Sequence, residues 1–254
     1  GRLSSRNPNF QNMPRGSTFP VRKAIVSRFN NGFILEGDYR QLEFRVAGFL
    51  SKDKQLYRDV ENNVDVHQYT ADTMGVERQE AKAHTFKPLY GGVLGTPKEM
   101  RYYEAFKHKY WQVTNWHDKL QKEAVDTKKI KLPSGREYAF PYARYTQYGN
   151  VTNSTAIKNY PVQGFATADL LPLALVNLYA MMKKKNMKSV ICNTVHDSII
   201  LDVHPEEKIQ CIDCLRNAMM SIKDECNSRY NINYDMPVDI ELKIGDNWLE
   251  TKEI

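Results

Sequence analysis

Two apolar runs, far apart in the chain, each contain an aspartate where burial opposes one. Residues 33–39 read Phe-Ile-Leu-Glu-Gly-Asp-Tyr, a short strand that ends at the carboxylate of Asp38. Residues 189–203, SVICNTVHDSIILDV, read as two apolar strands around a polar centre at His196-Asp197. A charge flanked by buried surface is costly unless it is paired or bound to a cation. Pairing with a neighbour such as Arg40 or His196 is one resolution. The other is convergence: aspartates from two strands can hold two Mg²⁺ ions about 3.5–4 Å apart, an arrangement suited to phosphoryl transfer.

Between these runs the pattern is helical. Residues 41–58 show helical spacing, and helices are predicted over 65–73, 77–90, 98–109 and 111–128. Residues 129–140 read as a hairpin turning at Ser134-Gly135, and residues 146–155 as a polar stretch. A long apolar helix is expected over 164–183, a further helix over 206–226, and an alternating strand over 238–244. Strands at both ends and helices in the centre imply an α+β fold, a small sheet with packed helices and a helical insertion. Tyr102, Tyr103, Phe106, Tyr110, Trp111 and Trp116 are expected to pack helices together rather than stack bases.

The chain of 254 residues can bury a substantial core, and no apolar run is as long as a membrane helix needs, so no membrane is expected. Its net charge of +6 lies in residues 1–35, where Arg2, Arg6, Arg15, Arg22, Lys23 and Arg28 stand without a single acid. Charge so localised points to a polyanionic partner at that end. The first residue is Gly1 rather than Met, which suggests a processed end or a piece of a longer protein. Cys211-x-x-Cys214 lacks the second pair that a zinc knuckle needs and reads as structural thiols of a reducing compartment.

A second feature is the spacing of Arg78, Lys82, Phe86 and Tyr90. On an α-helix each four-residue step turns about 40° further, so the four form one slowly drifting stripe. Two cations followed by two aromatic rings suit a polyphosphate followed by a planar base. Pro88 lies inside this helix and removes the bond to the carbonyl of His84, so a kink is expected there.

With these residues in view, the sequence resembles the family A DNA polymerases, the group of bacterial DNA polymerase I and many phage replicases. The resemblance rests on GRLSSRNPNFQNMP, DYRQLEFR, RxxxKxxxFxxxYG, NYPVQG, VHD and GDNW in that order, across about residues 1–249. It implies a small antiparallel palm sheet with packed helices and a largely helical fingers insertion. The palm would be formed by 1–55 and 156–254, and the fingers by 56–155. No segment here resembles the family's thumb or proofreading exonuclease, so these segments, or accessory subunits, are expected from elsewhere.

The resemblance also implies roles. Asp38 and Asp197, with the backbone carbonyl of Tyr39, would hold two Mg²⁺ ions. Arg78 and Lys82 would bind the triphosphate, with Lys82 also a proton donor to pyrophosphate. Phe86 would pack on sugar and base, and Tyr90 would stand where the template base enters. Glu43 would exclude a ribose 2′-hydroxyl, with Gln41 and His67 lining the same pocket. Arg2, Arg45, Asn159, Gln163 and His196 would contact the primer–template, where minor-groove acceptors look alike in every base pair.

Several positions depart from the family pattern. Ser198 replaces a glutamate after VHD, and Thr155 an arginine that touches the primer strand. Lys87-Pro88 replaces a glycine-containing step, and Arg40 replaces a small residue beside Asp38, where its charge is expected to favour the carboxylate. The implied activity is template-directed addition of dNTPs to a primer 3′-hydroxyl, in a bacterial or phage-infected cytoplasm. The alternatives are a single-subunit RNA polymerase or reverse transcriptase on the same palm, or an inactive DNA-binding fragment.

Overall fold

The computed structural model describes every residue except Arg15, Ser17 and Val93. In chain order the elements are β1 (Phe33–Tyr39), α1 (Leu42–Ser51), α2 (Lys54–Glu61), α3 (Val66–Met74), α4 (Arg78–Thr85), α5 (Pro97–Lys109) and α6 (Trp111–Thr127). There follow β2 (Lys129–Lys131), β3 (Glu137–Ala139), α7 (Ser154–Gln163), α8 (Leu171–Lys184), β4 (Val190–Val195) and β5 (Ser198–Val203). The chain ends with α9 (Lys208–Met220), α10 (Ile222–Tyr230), β6 (Ile240–Gly245) and β7 (Lys252–Glu253). The fold class is α+β, as the sequence implies. The chain divides into two compact units: one of Gly1–Leu42, Ala166–Asn233 and Val238–Ile254, the other of Glu43–Phe165 and Tyr234–Pro237.

The first unit is built on an antiparallel sheet in the order β4-β5-β1-β6-β7. Central position explains why β1 is largely buried: strands on both sides take its backbone groups, and only Phe33 and Asp38 remain partly exposed. Helix α9 lies against one face. A Cβ on Gly37 would come within 2.6 Å of Met219 Sδ and 2.9 Å of Leu215 Cδ2, so only glycine allows that approach. Side chains alternate along a strand, so Glu36 and Asp38 project from the opposite face. There Ile34, Val195, Ile200 and Trp248 form a small core, with Met13 and Ile25 of the N-terminal arm packed on it.

The second unit is mostly helical. Buried Tyr102, Tyr103, Phe106 and Tyr110 hold α5 to its neighbours, as the aromatic pattern suggests, whereas Trp111 is exposed. The rings of Phe44 and Tyr110 lie 5.6 Å apart, edge to face, and the Tyr110 hydroxyl donates to Asp59 at 2.6 Å. Buried Asp53 caps two helices at once, accepting from the Leu56 amide of α2 and from the Gln112 and Val113 amides of α6. The β2–β3 hairpin turns through Gly135 at φ 88°, where glycine was expected to serve.

Three expectations need correction. The helix expected from Gly164 begins at Ser154 and continues to Lys184 through a π-helical stretch, Gly164–Leu170. A Cβ on Gly164 would stand 1.8 Å from the Tyr138 hydroxyl, so the glycine that looked like a helix entrance is a close crossing. Ser154–Lys184 is also long and apolar enough to cross a membrane by length and composition, but 61% of its most apolar window is buried within the protein. The helix expected over 206–226 is two, α9 and α10, divided at Ser221. Finally, the helix expected over 77–90 ends at Thr85.

Candidate functional site

The register of the sheet brings the two aspartates together. Asp38 pairs with Ser198 across β1 and β5, and the Tyr39 amide donates to the Asp197 carbonyl at 3.4 Å. Val195 pairs with Ser198, so His196 and Asp197 alone form the loop between β4 and β5. His196 takes the left-handed conformation, φ 57°, that so short a hairpin demands, which leaves its side chain exposed at the tip. Ser198 is buried and donates to the Val195 carbonyl at 3.1 Å, fastening the base of the turn.

The face that carries Asp38 is polar. A cleft of about 160 Å³ is lined by Arg22, Glu36, Asp38, Glu241, Lys243 and Trp248. Glu241 stands opposite Asp38 and Lys243 opposite Glu36 in β6. Trp248, of the GDNW motif, donates its indole N–H to Glu36 at 3.2 Å, and the Arg22 guanidinium covers its ring at 4.0 Å. Arg22 itself donates twice to the Met13 carbonyl, so the basic arm is folded onto this face. The sequence missed Glu36, although its place two residues before Asp38 put it on the same face. Arg40 reaches Glu253 at 2.8 Å and lies near Asp239 and Glu241.

Among the described residues no group of three or more His, Cys, Asp or Glu side chains is poised for a metal ion. Two carboxylates and a backbone carbonyl nevertheless suit Mg²⁺, which keeps several waters and takes the rest of its oxygens from a phosphorylated substrate. Arg2 also belongs to this unit: its Nε donates to Thr167 Oγ1 at 3.1 Å, and it lines a small pocket with Gln11, Thr194 and His196.

The second unit holds the cationic and aromatic residues. Arg78 and Lys82 are exposed on α4. Arg78 donates to Asp65 at 2.8 Å, and Asp65 also caps α3 through the His67 and Gln68 amides. Burial raises the Asp65 carboxyl, but the Arg78 bond and these amides outweigh it and hold it below the usual carboxylate range. His67 bonds Thr85 Oγ1 at 2.9 Å; burial first, then the charges of Arg78 and Lys82, push its imidazole toward the neutral form.

Pro88 has no amide hydrogen and disfavours a helical Lys87, so α4 stops and a 3₁₀ turn, Lys87–Tyr90, follows. The helix ends rather than kinks, and Phe86 and Tyr90 lie beyond the regular helix expected to carry all four residues. The Phe86 ring stays beside His67 and Phe44, at centroid separations of 5.3 and 5.7 Å. Tyr90, half-buried, precedes Gly91 at φ 78°.

Other expected residues fall as follows. Glu43 opens α1 in the helical unit, whereas Gln41, at φ 55°, belongs to the sheet unit. Arg45 is buried and donates to the Pro237 carbonyl at 2.8 Å within the helical unit. Asn159 and Gln163 lie on α7, and the Asn159 side-chain carbonyl is buried without a hydrogen-bond partner. Arg15 of the basic arm lies outside the described residues.

One feature had no signal in the sequence. A cavity of about 640 Å³ in the helical unit is lined by Gly91, Gly92, Lys107, His117, Asn150 and Lys158, among others. Burial, aided by the charge of Lys158 and opposed by a bond to Leu89, lowers the His117 pKa to about 3. Its Nε2 has no partner and is a buried acceptor in the cavity wall.

Comparison with known proteins shows what the chain resembles. Residues 1–250 match the family described as DNA polymerase family A. DNA polymerase I of Caldicellulosiruptor bescii is 30% identical, over 99% of this chain and 31% of its own length. The thermostable DNA polymerase I of Thermus aquaticus is 31% identical, over 100% of this chain and 31% of its own length. The chain thus spans about a third of the curated relatives it matches. A solved structure, the "POL domain of Pol1 from M. smegmatis complex with DNA primer-template and dNTP", superposes with a TM-score of 0.83 at 23% identity, covering 99% of this chain and 46% of that one. With its aspartates at the end of a central strand and in the neighbouring turn, and with a family match over nearly its whole length, the chain belongs to the family A DNA polymerases.

Proposed function

We propose that the chain catalyses template-directed addition of deoxynucleotides to a primer 3′-hydroxyl. The meeting of Asp38 with the Asp197 turn carries this reading. Asp38, Asp197 and the Tyr39 carbonyl would hold two Mg²⁺ ions, which supply charge to acidify the 3′-hydroxyl and to neutralise the leaving pyrophosphate. Arg78 and Lys82 bind the triphosphate. The Arg78–Asp65 pair is exposed and worth at most about 1 kcal/mol, so exchange of the carboxylate for phosphate costs little. Phe86 offers a ring to sugar and base. Neutral His67, held by Thr85, keeps the pocket free of a third positive charge. Lys82 is the proton donor to pyrophosphate, and Glu43 excludes the 2′-hydroxyl. Arg2, His196, Asn159 and Gln163 contact the primer–template, and the sheet and helical units act as palm and fingers. The relatives are named as DNA polymerases, which favours a DNA polymerase over an RNA polymerase or reverse transcriptase. Such an enzyme works at DNA in the cytoplasm, and segments outside these residues complete its grip on the duplex.

Primer extension with Mg²⁺ and dNTPs tests the proposal. Asp38→Asn and Asp197→Asn are each expected to lower the rate by about a thousandfold or more, with the thermal midpoint retained. Extension at the wild-type rate by either variant would overturn the assignment. Salt-sensitive duplex binding without extension by the unaltered chain would favour the non-catalytic reading.

A further inference from the structure

Three tyrosines stand in solvent on one short loop of the helical unit: Tyr142 is 81% exposed, Tyr145 55% and Tyr148 82%. The loop is not slack. Tyr145 and Val151 form an isolated bridge, the Thr146 amide donates to the Asn150 carbonyl at 2.7 Å, and the Thr152 amide to the Arg144 carbonyl at 3.0 Å. Thr152 Oγ1 closes the base, donating to the Tyr142 carbonyl at 2.8 Å and accepting from the Arg144 amide at 3.1 Å. Beneath the loop, Ala143 and Val151 are buried in a core with Leu120, Ile130 and Phe140. The backbone is therefore fixed while the rings are left in water, the reverse of how tyrosines are usually used in folding.

The charge around the rings is positive. Arg144 is exposed between Tyr142 and Tyr145, and Lys128 Nζ donates to the Ala143 carbonyl at 2.6 Å. Over residues 121–152, Lys122, Lys128, Lys129, Lys131, Arg136 and Arg144 oppose only Glu123, Asp126 and Glu137. Aromatic faces interleaved with cations suit an unpaired nucleic-acid strand, whose bases stack while its phosphates meet the charges. The loop also adjoins the candidate nucleotide site. The 640 Å³ cavity has Gly91 and Gly92, just after Tyr90, on its wall together with Asn150 and Val151, which end the loop. Lys107, Lys158 and the His117 acceptor line the same cavity.

We propose that the 142–151 loop is a stacking platform for the single-stranded template that has not yet been copied. This rests on the template-directed reading above. The platform requires no base-specific contact, since every base has a ring face to offer.

The test is fluorescence anisotropy of the full chain on primer–templates with identical duplexes and 5′ template overhangs of about two or about ten nucleotides. The unaltered chain is expected to bind the longer overhang more tightly by roughly tenfold or more. A variant combining Tyr142→Ala, Tyr145→Ala and Tyr148→Ala loses that preference but binds the short overhang as before; the corresponding Tyr→Phe variant keeps it. Because the rings are exposed, an unchanged thermal midpoint will accompany the alanine variant. An unaltered chain indifferent to overhang length, or an alanine variant that keeps the preference, overturns the platform. A chain that favours the long overhang yet extends no primer rejects the polymerase reading and with it the template role, leaving the loop only as a single-strand binding surface, so the two failures are distinguishable.

Discussion

Asp38 faces Ser198 across the central ladder of the sheet, one residue from Asp197 in the adjoining turn. The pairing depends on register. A slip by one residue would turn Asp38 toward α9 and carry Gly37 onto the polar face. Gly37 guards the register because its missing side chain lets Met219 and Leu215 of α9 approach the strand.

Gly37→Ala is accordingly expected to destabilise the chain by about 1–3 kcal/mol through overpacking. Thermal or urea unfolding measures the loss. Combining it with Met219→Ala, which vacates the space at 2.6 Å, is expected to recover part of that stability. A double variant no more stable than Gly37→Ala would mean that strain arises elsewhere along β1.

The triphosphate assignment separates Arg78 from Lys82 by kinetics. Arg78→Ala removes a binding cation and is expected to raise the KM for dNTP by roughly tenfold, with a smaller effect on kcat. Lys82→Ala removes charge and the proposed proton donor, so kcat is expected to fall by about a hundredfold. Steady-state primer extension at varied dNTP gives both values. A Lys82→Ala variant altered only in KM would strip that residue of its role in proton transfer.

Ribonucleotide discrimination tests Glu43. Glu43→Ala is expected to raise the efficiency of rNTP incorporation by about a hundredfold while dNTP incorporation changes far less. Parallel extension assays with the two nucleotide types read this directly. Efficient rNTP use by the unaltered chain, indifferent to this substitution, would support an RNA polymerase instead.

Much of this architecture was legible because its signals are local. The run from Phe33 to Tyr39 starts apolar and is largely buried because β1 is central, and the polar interruption at His196-Asp197 is a two-residue turn. Hairpin chemistry at Ser134 and Gly135 likewise acts over a few residues. The errors arose where distant contacts decide. Ser154–Gln163 is helical despite its polar residues and Pro161, because Ile157 and Val162 are buried against other elements. The stripe from Arg78 to Tyr90 was read on one helix kinked at Pro88, whereas α4 ends at Thr85 and a 3₁₀ turn follows. Glu36, Trp248 and Arg22 are brought together only by the sheet and the returning arm. The tyrosines at 142, 145 and 148 recur every three residues, a spacing that also suits one face of a helix, so their common exposure on a loop could not be read from spacing.

Acid stability provides a final test, through His117. Its pKa in the folded chain, about 3, lies below the value of about 6.5 for an unfolded histidine, so the unfolded chain binds more protons between these limits. The group's contribution to stability is therefore complete above about pH 6.5 and is lost progressively as the pH falls toward 3. At pH 5 the loss amounts to roughly 2 kcal/mol, which is expected to lower the thermal midpoint relative to pH 7.5. His117→Leu removes the titrating group and is expected to flatten this decline, whatever its effect on stability at neutral pH. Unfolding curves of both chains at pH 5, 6 and 7.5 distinguish the outcomes, because cavity packing shifts all three midpoints together whereas protonation of His117 separates them. Equal slopes in the two chains would mean that the imidazole is reached by solvent, and that the wall between Leu89 and Lys158 opens on its own.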